Sequence, residues 1–292
     1  MNGVLTRLNI ELSAHCNYAC ESCPNTYMTR EKGHMDPGLF KRIVDEVDGR
    51  ISKMYLWNYG EPLLNPHAPK MLEGLSRRSF RSILSTTGYM LSALEDVSFL
   101  AELDEFIISI NGFTPEVYAF HQKRGDLERV ISGLERVKDT MEEAQTEYVL
   151  QTVVNKRNLE QIDMIKEFMI RFGFDRADLK SFNVMDNRQE TFERFVPEDP
   201  RFNRYGVERR SDRPDPCQNW MVINWNGDVN PCCWDYTGSY VLGNVDREGV
   251  FGVWDSIRSQ DHRKRMEAAD YYPICANCGR DGTLIERVEA QS

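Results

Sequence analysis

No apolar run in this 292-residue sequence approaches the roughly 18 residues that a membrane-crossing helix needs. The N-terminal stretch MNGVLTRLNIELS lacks the basic and apolar segments of a secretory signal. The expected setting is therefore the cytoplasm, where thiols stay reduced. Positive charge is also scarce: Lys and Arg total 36 against 46 Asp and Glu, a net charge of −10. That balance argues against a nucleic-acid backbone as the main partner. Internal repeats and low-complexity tracts are missing as well. What is present is ordinary globular composition, 41% hydrophobic and 28% charged, in a chain long enough for one large α/β domain or two smaller ones. Eight cysteines in a reducing compartment point to metal ligation before a disulfide framework.

The first 185 residues alternate between two periodicities. Stretches 4–12, 53–60, 81–87, 105–112, 148–155 and 177–185 carry the β-branched and apolar content of buried parallel strands. Between them, Leu39, Ile43, Val44 and Val47 repeat at helical spacing. So do Leu94, Val97, Leu100 and Leu103, then Val130, Ile131, Leu134 and Val137, then Ile162, Ile165, Phe168 and Met169. Thr114 and Pro115 suit a helix start, and Gly173 suits a helix stop. Six such strand–helix units predict an α/β fold with a parallel sheet and right-handed crossovers. Six are fewer than the eight of a full TIM barrel, so the expectation is a partial, open (β/α)6 barrel over residues 1–185. Residues 186–216, polar and rich in proline and arginine, read as a surface connection. A small cysteine-rich module over 217–292 should follow, with a hairpin turn at Asn226-Gly227 and a helix near 251–268.

Directly after the first strand stands HCNYACESC, which places Cys16, Cys20 and Cys23 at C-x3-C-x2-C spacing. In a parallel fold this is the carboxyl end of a strand, where ligand sites gather. By spacing alone the three thiols suit an iron–sulfur cluster that keeps one iron open, a zinc ion short of its usual fourth ligand, or inert packing.

The spacing and its place resemble the radical S-adenosylmethionine superfamily. The resemblance implies a 4Fe-4S cluster on Cys16, Cys20 and Cys23, with S-adenosylmethionine on the fourth iron. Reductive cleavage of that cofactor yields a 5′-deoxyadenosyl radical, which abstracts a substrate hydrogen. An external electron donor such as flavodoxin or ferredoxin is implied too. YGEP, residues 59–62, resembles the family's Gly-Gly-Glu motif, with Tyr59 in place of the first glycine. Gly60 and Glu61 are then the expected cofactor-binding residues, the carboxylate suiting the methionine ammonium. Ser109 and Asn111 fall where family members bind the ribose hydroxyls. Ser22 stands where the family usually has an aromatic residue against the adenine, a departure that leaves the adenine contact open.

Near the C-terminus, Cys217, Gly227 and Cys232 follow C-x9-G-x4-C, and Cys275 and Cys278 follow C-x2-C. By spacing alone a four-cysteine zinc site answers equally well. Beside a radical cluster, the arrangement resembles the SPASM/twitch extension. That resemblance implies one auxiliary 4Fe-4S cluster on Cys217, Cys232, Cys275 and Cys278, since no cysteine occurs after Cys278. Cys233 is then spare: a small buried hydrophobe, or a catalytic hydrogen-atom donor as in radical epimerases. His15 beside Cys16 reads as packing, while Asn155, Lys180 and Asn183 are candidates to face a substrate at the barrel mouth.

The expected activity is oxidation of a secondary alcohol on a carbohydrate or aminocyclitol natural-product intermediate. The small-molecule substrate is favoured over a peptide because the first strand starts too early for a leader-binding domain. Radical epimerisation through Cys233 and modification of ribosomal peptides are the alternatives. Outside enzymes, a zinc-stabilised binding protein or an electron-transfer protein remains.

Overall fold

The computed structural model describes residues 3–205, 218–275, 278 and 284–290. In chain order the strands are β1 (Arg7–Ile10), β2 (Lys53–Tyr55), β3 (Arg81–Thr86), β4 (Glu105–Ser109), β5 (Glu147–Val154), β6 (Arg176–Ser181), β7 (Trp220–Ile223), β8 (Asp228–Asn230), β9 (Gly243–Asn244) and β10 (Leu284–Glu289). The helices are α1 (Pro37–Val47), α2 (Ala68–Leu72), α3 (Pro115–His121), α4 (Leu127–Glu143), α5 (Met164–Phe172), α6 (Gln189–Phe195), α7 (Val245–Glu248), α8 (Val250–Trp254) and α9 (Ile257–Glu267). Mixed α/β order with a parallel sheet, six strand units and then a cysteine-bearing segment, is the fold class expected.

The chain divides into two compact units: Met1–Cys16, Tyr27–Leu84 and Asp212–Cys278 form one; Asn17–Thr26, Ser85–Ser211 and Gly279–Ser292 form the other. In the first unit, β1 pairs in parallel with β2, and β2 with β3. On its other edge β1 pairs in parallel with β7, from Arg7 opposite Trp220 to Ile10 opposite Ile223, and β8 and β9 follow antiparallel. The C-terminal segment thus continues this sheet. The β7–β8 hairpin closes where expected, with Gly227 at φ +86° and Asn224 donating to the Asp228 carbonyl at 2.8 Å. Glu46 of α1 accepts from the backbone of Val250 and Phe251, both at 2.9 Å, at the start of α8.

In the second unit, β4, β5 and β6 are parallel, and β10 returns antiparallel along β6. The core face holds Phe106, Ile108, Tyr148, Leu150, Ala177 and Leu179, all buried. The chain enters α4 through Asp126, whose carboxylate accepts from Arg129 N–H at 3.1 Å, and leaves α5 at Gly173, φ +72°.

Three elements differ from expectation. Residues 94–103 form no α-helix; 3₁₀ turns span 91–93 and 98–102. Asp96 takes the backbone N–H and the hydroxyl of Ser98, both at 2.8 Å, which starts a new turn and interrupts the apolar repeat. The helix near 251–268 is two, α8 and α9, because Ser256 adopts extended backbone and caps α9 by accepting from Ser259 N–H at 3.2 Å. The segment expected as a surface connection carries α6, whose Phe195 is fully buried and stacks on Phe182 at 4.9 Å.

Candidate functional site

The stretch after β1 is shaped first by a buried carboxylate. Glu11 is wholly buried and paired with Arg30, whose Nε donates to the Tyr236 carbonyl at 3.0 Å. Ala14 N–H donates to Gly33 O, and the Trp225 ring lies against Gly33 so closely that a Cβ there would meet it at 2.6 Å. Ser13 therefore enters the cysteine motif already tied to the following segment through its bridge to His34. The ring of His15 stands 4.9 Å from that of His34, whose pKa is lowered by burial and then by His15 and His67.

Cys16 closes this first-unit part and is half-buried. Cys20 and Cys23, also half-buried, stand on the second-unit part. Here Tyr18 and Tyr118 share a buried hydroxyl hydrogen bond at 2.6 Å, and Ala19 N–H donates to Lys123 O at 2.9 Å. Glu21 pairs with Lys123 and with Arg194. Ser22 adopts φ +63°, a left-handed backbone uncommon outside glycine. Its hydroxyl donates to Asn183 O at 3.0 Å and accepts from Met185 N–H at 2.7 Å. The departure from an aromatic at this position thus ties the loop to the segment after β6. Cys23 N–H donates to Cys20 O at 3.3 Å, so the C-x2-C pair sits on a tight turn.

After β2 the chain returns to the same neighbourhood. Gly60 packs so tightly that a Cβ would lie 1.8 Å from the Ser13 carbonyl oxygen, and Glu61 N–H donates to His15 O at 2.8 Å. Glu61 is 1% exposed, and its Oε1 accepts from Leu63 N–H at 3.2 Å. Asn65 then donates from Nδ2 to Leu12 O at 2.9 Å and Met35 O at 3.0 Å. A buried carboxylate one residue from a glycine that only a bare backbone can occupy fits an ammonium ligand.

On β4, Ser109 accepts from Gln151 Nε2 at 3.1 Å and lies 3.5 Å from Ser85. Asn111 is buried, its Oδ1 accepting from Val153 N–H at 2.7 Å. Two barrel-mouth candidates are already held by neighbouring groups. Asn155 is fully buried and accepts from Arg157 N–H and Asn158 N–H. Asn183 accepts at Oδ1 from the Tyr205 hydroxyl at 3.2 Å.

In the C-terminal segment Cys232 is buried, and burial pushes its thiol pKa well up, with Cys233 and Cys278 adding to the effect. Cys233 is half-buried, and its carbonyl accepts from the Tyr59 hydroxyl. Cys278 N–H donates to Cys275 O at 3.1 Å, the turn already met at Cys20 and Cys23. Cys217 lies outside the described residues. Among the described residues, no three His, Cys, Asp or Glu side chains gather to hold a single metal ion. Cluster ligation makes a different demand, because the cysteines bind separate irons of one inorganic core.

The family described as the Radical SAM superfamily matches residues 10–169, more than half of the sequence. The chain belongs to the radical SAM superfamily. A second family, SPASM, described as an iron–sulfur cluster-binding domain, matches residues 216–279. A radical SAM domain binds a 4Fe-4S cluster and S-adenosylmethionine, and the SPASM domain adds a further iron–sulfur centre. The cysteine-bearing stretches in both matches, and the Gly60–Glu61 cradle beside the first, fit those groups chemically.

Among radical SAM relatives, the tungsten-containing aldehyde ferredoxin oxidoreductase cofactor-modifying protein of Pyrococcus furiosus is 25% identical, over 93% of this chain and 86% of its own. The S-adenosyl-L-methionine-dependent 2-deoxy-scyllo-inosamine dehydrogenase of Niallia circulans is 24% identical, over 98% of this chain and 97% of its own. The crystal structure of BtrN with AdoMet and 2-DOIA shares the fold at 18% identity, TM-score 0.56, over 91% of this chain and 88% of that one. Native anSMEcpe with bound AdoMet gives 17% identity and TM-score 0.60, over 94% and 88%. No helix among the described residues is long and apolar enough to cross a membrane.

Sequence reasoning missed the Glu11–Arg30 pair, the role of Ser22 and the polar row on β4 to β6. Of these, Ser22 carried a signal as the residue departing from the family pattern, and the polar row carried one only at Ser109 and Lys180.

Proposed function

We propose that this radical SAM enzyme oxidises a secondary alcohol of a small polyhydroxylated substrate, a carbohydrate or an aminocyclitol. The observation that carries the reading is the end-to-end match to the Niallia circulans dehydrogenase, which has a counterpart for nearly every residue of this chain. When bound, the cofactors supply a 5′-deoxyadenosyl radical to remove a carbon-bound hydrogen and an iron–sulfur acceptor for the remaining electron. Cys16, Cys20 and Cys23 are assigned to the radical cluster. Gly60 and Glu61 hold the methionine ammonium, the first by admitting a close backbone and the second by its buried carboxylate. Ser109, and Asn111 through Nδ2, are assigned to the ribose. Cys217, Cys232, Cys275 and Cys278 are assigned to one auxiliary 4Fe-4S cluster.

The division into a barrel at 1–185, a connection at 186–216 and a module at 217–292 belongs to this reading, as do a flavodoxin or ferredoxin reductant and a cytoplasmic setting. Epimerisation is the second reading, favoured by the half-buried Cys233 next to the buried Cys232. Anaerobic reconstitution, reduction and a screen of aminocyclitols and sugars test both. The expected result is about eight irons per chain for two 4Fe-4S clusters, 5′-deoxyadenosine lost in Cys16→Ala, and a ketone product. Dehydrogenation survives Cys233→Ser, whereas epimerisation does not. Iron without 5′-deoxyadenosine overturns the reading.

A further inference from the structure

Along β4, β5 and β6 alternate residues share the face opposite the apolar core. The strand register sets Ile107, Val149 and Arg176 in one row, Ser109, Gln151 and Asp178 in the next, and Val153 beside Lys180 in the last. Charge on this face is almost fully spoken for. Arg176 pairs with Glu105 at 2.9 Å, with Glu147, and with Asp178 at 3.2 Å. Arg287 of β10 reaches Asp178 at 3.1 Å. Two guanidiniums therefore engage the three carboxylates that β4, β5 and β6 place on this face.

Lys180 is the exception. Among the described residues its side chain makes no ion pair or hydrogen bond, although the residue is half-buried. Its cross-strand neighbours, Val153 on β5 and Leu284 on β10, are apolar. Burial lowers its pKa most; Asp178 and Glu105 oppose that and Arg176 adds to it, for a net downward shift from the ordinary lysine value. Asn155 and Asn183, the other candidates at this end, are held by backbone and tyrosine partners.

We propose that Lys180 is the proton acceptor for the substrate hydroxyl, a catalytic residue on the same polar face as Ser109 and Gln151. This inference rests on the alcohol oxidation proposed above. Once the carbon-bound hydrogen is gone, the O–H bond breaks, its proton adds to the Nζ lone pair to give an ammonium, and the bonding pair stays on oxygen. The carbonyl forms when the one surplus electron leaves to the iron–sulfur acceptor class named above. A neutral amine suits this transfer, and the carboxylates on this face are already occupied by guanidiniums.

The test uses the reconstituted holoenzyme. Competitive acetylation across pH, read by mass spectrometry, should half-modify Lys180 at lower pH than the exposed Lys41. Lys180→Met and Lys180→Arg should each lower substrate oxidation on the order of 10²-fold or more, with iron content and S-adenosylmethionine affinity at wild-type values. In the wild type, kcat/KM should fall as pH falls through the Lys180 transition, and the residual Lys180→Met rate should lack that limb. Equal acetylation midpoints for Lys180 and Lys41, or variants within threefold of wild type, overturn the proposal. If the wild type itself oxidises no such alcohol, the function reading fails first and takes this proposal with it, a result visible without any variant.

Discussion

Replacing Gly60 by alanine is the sharpest test of how the 59–62 loop, assigned above to the methionine ammonium, is built. The added Cβ would stand 1.8 Å from the Ser13 carbonyl oxygen, against a practical limit of 3.0 Å for real contacts. The deficit is more than an ångström, and both neighbours are backbone, so no rotamer change relieves it. Either the 59–62 loop or the segment leading to Cys16 must move, which strains or breaks the 2.8 Å bond from Glu61 N–H to His15 O. Overpacking of this kind costs about 1–3 kcal/mol and the lost hydrogen bond about 1 more. The effect on chemistry should be larger, since a 1 Å misplacement of reacting groups costs on the order of 10²-fold. In reconstituted protein, the rate of 5′-deoxyadenosine formation and the affinity for S-adenosylmethionine should both drop, with the fold retained by circular dichroism. A Gly60→Ala enzyme within threefold of wild type on both measures would refute the reasoning.

Other consequences can be checked independently. Arg30→Ala leaves Glu11 buried without its cation and should cost about 3–5 kcal/mol in urea unfolding, whereas exchanging both for apolar residues should cost far less. Ser22→Ala removes a hydroxyl with two backbone partners and should cost about 1–3 kcal/mol. Ser22→Gly should match the alanine variant or exceed it in stability, because glycine accepts the left-handed backbone. His121, packed against Phe182 and Phe195, has its pKa lowered to about 4, by burial first, with Glu21 opposing. The folded state then resists protonation that the unfolded chain accepts below the ordinary value of 6.5. Stability should fall by about 3 kcal/mol as pH drops from there to about 4, and His121→Leu should flatten that fall.

Periodicity alone marked where the parallel strands run, because buried apolar runs leave a local trace. Element breaks were less legible. Leu94 to Leu103 keeps helical spacing, yet the Asp96 side chain offers Ser98 a competing partner. Phe195 sits in a polar stretch whose composition hides one deeply buried ring. At the site, Gly60 and Glu61 were visible as a motif, but the reason for glycine was not. It lies in a carbonyl 47 residues earlier, at Ser13. Lys180 and Asn155 looked equivalent in sequence; hydrogen bonding by neighbouring backbone separates them.

The pairing of β1 with β7 also carries a consequence for biosynthesis. Arg7 meets Trp220, a separation of 213 residues. At the ribosome's pace of about 5–20 residues per second, that partner arrives roughly 10–40 s after Arg7 is made. Throughout that interval one edge of β1 offers unpaired backbone groups to any passing strand, the situation that invites mispairing. The strand that leads into Cys16 is thus made long before the partner that encloses it.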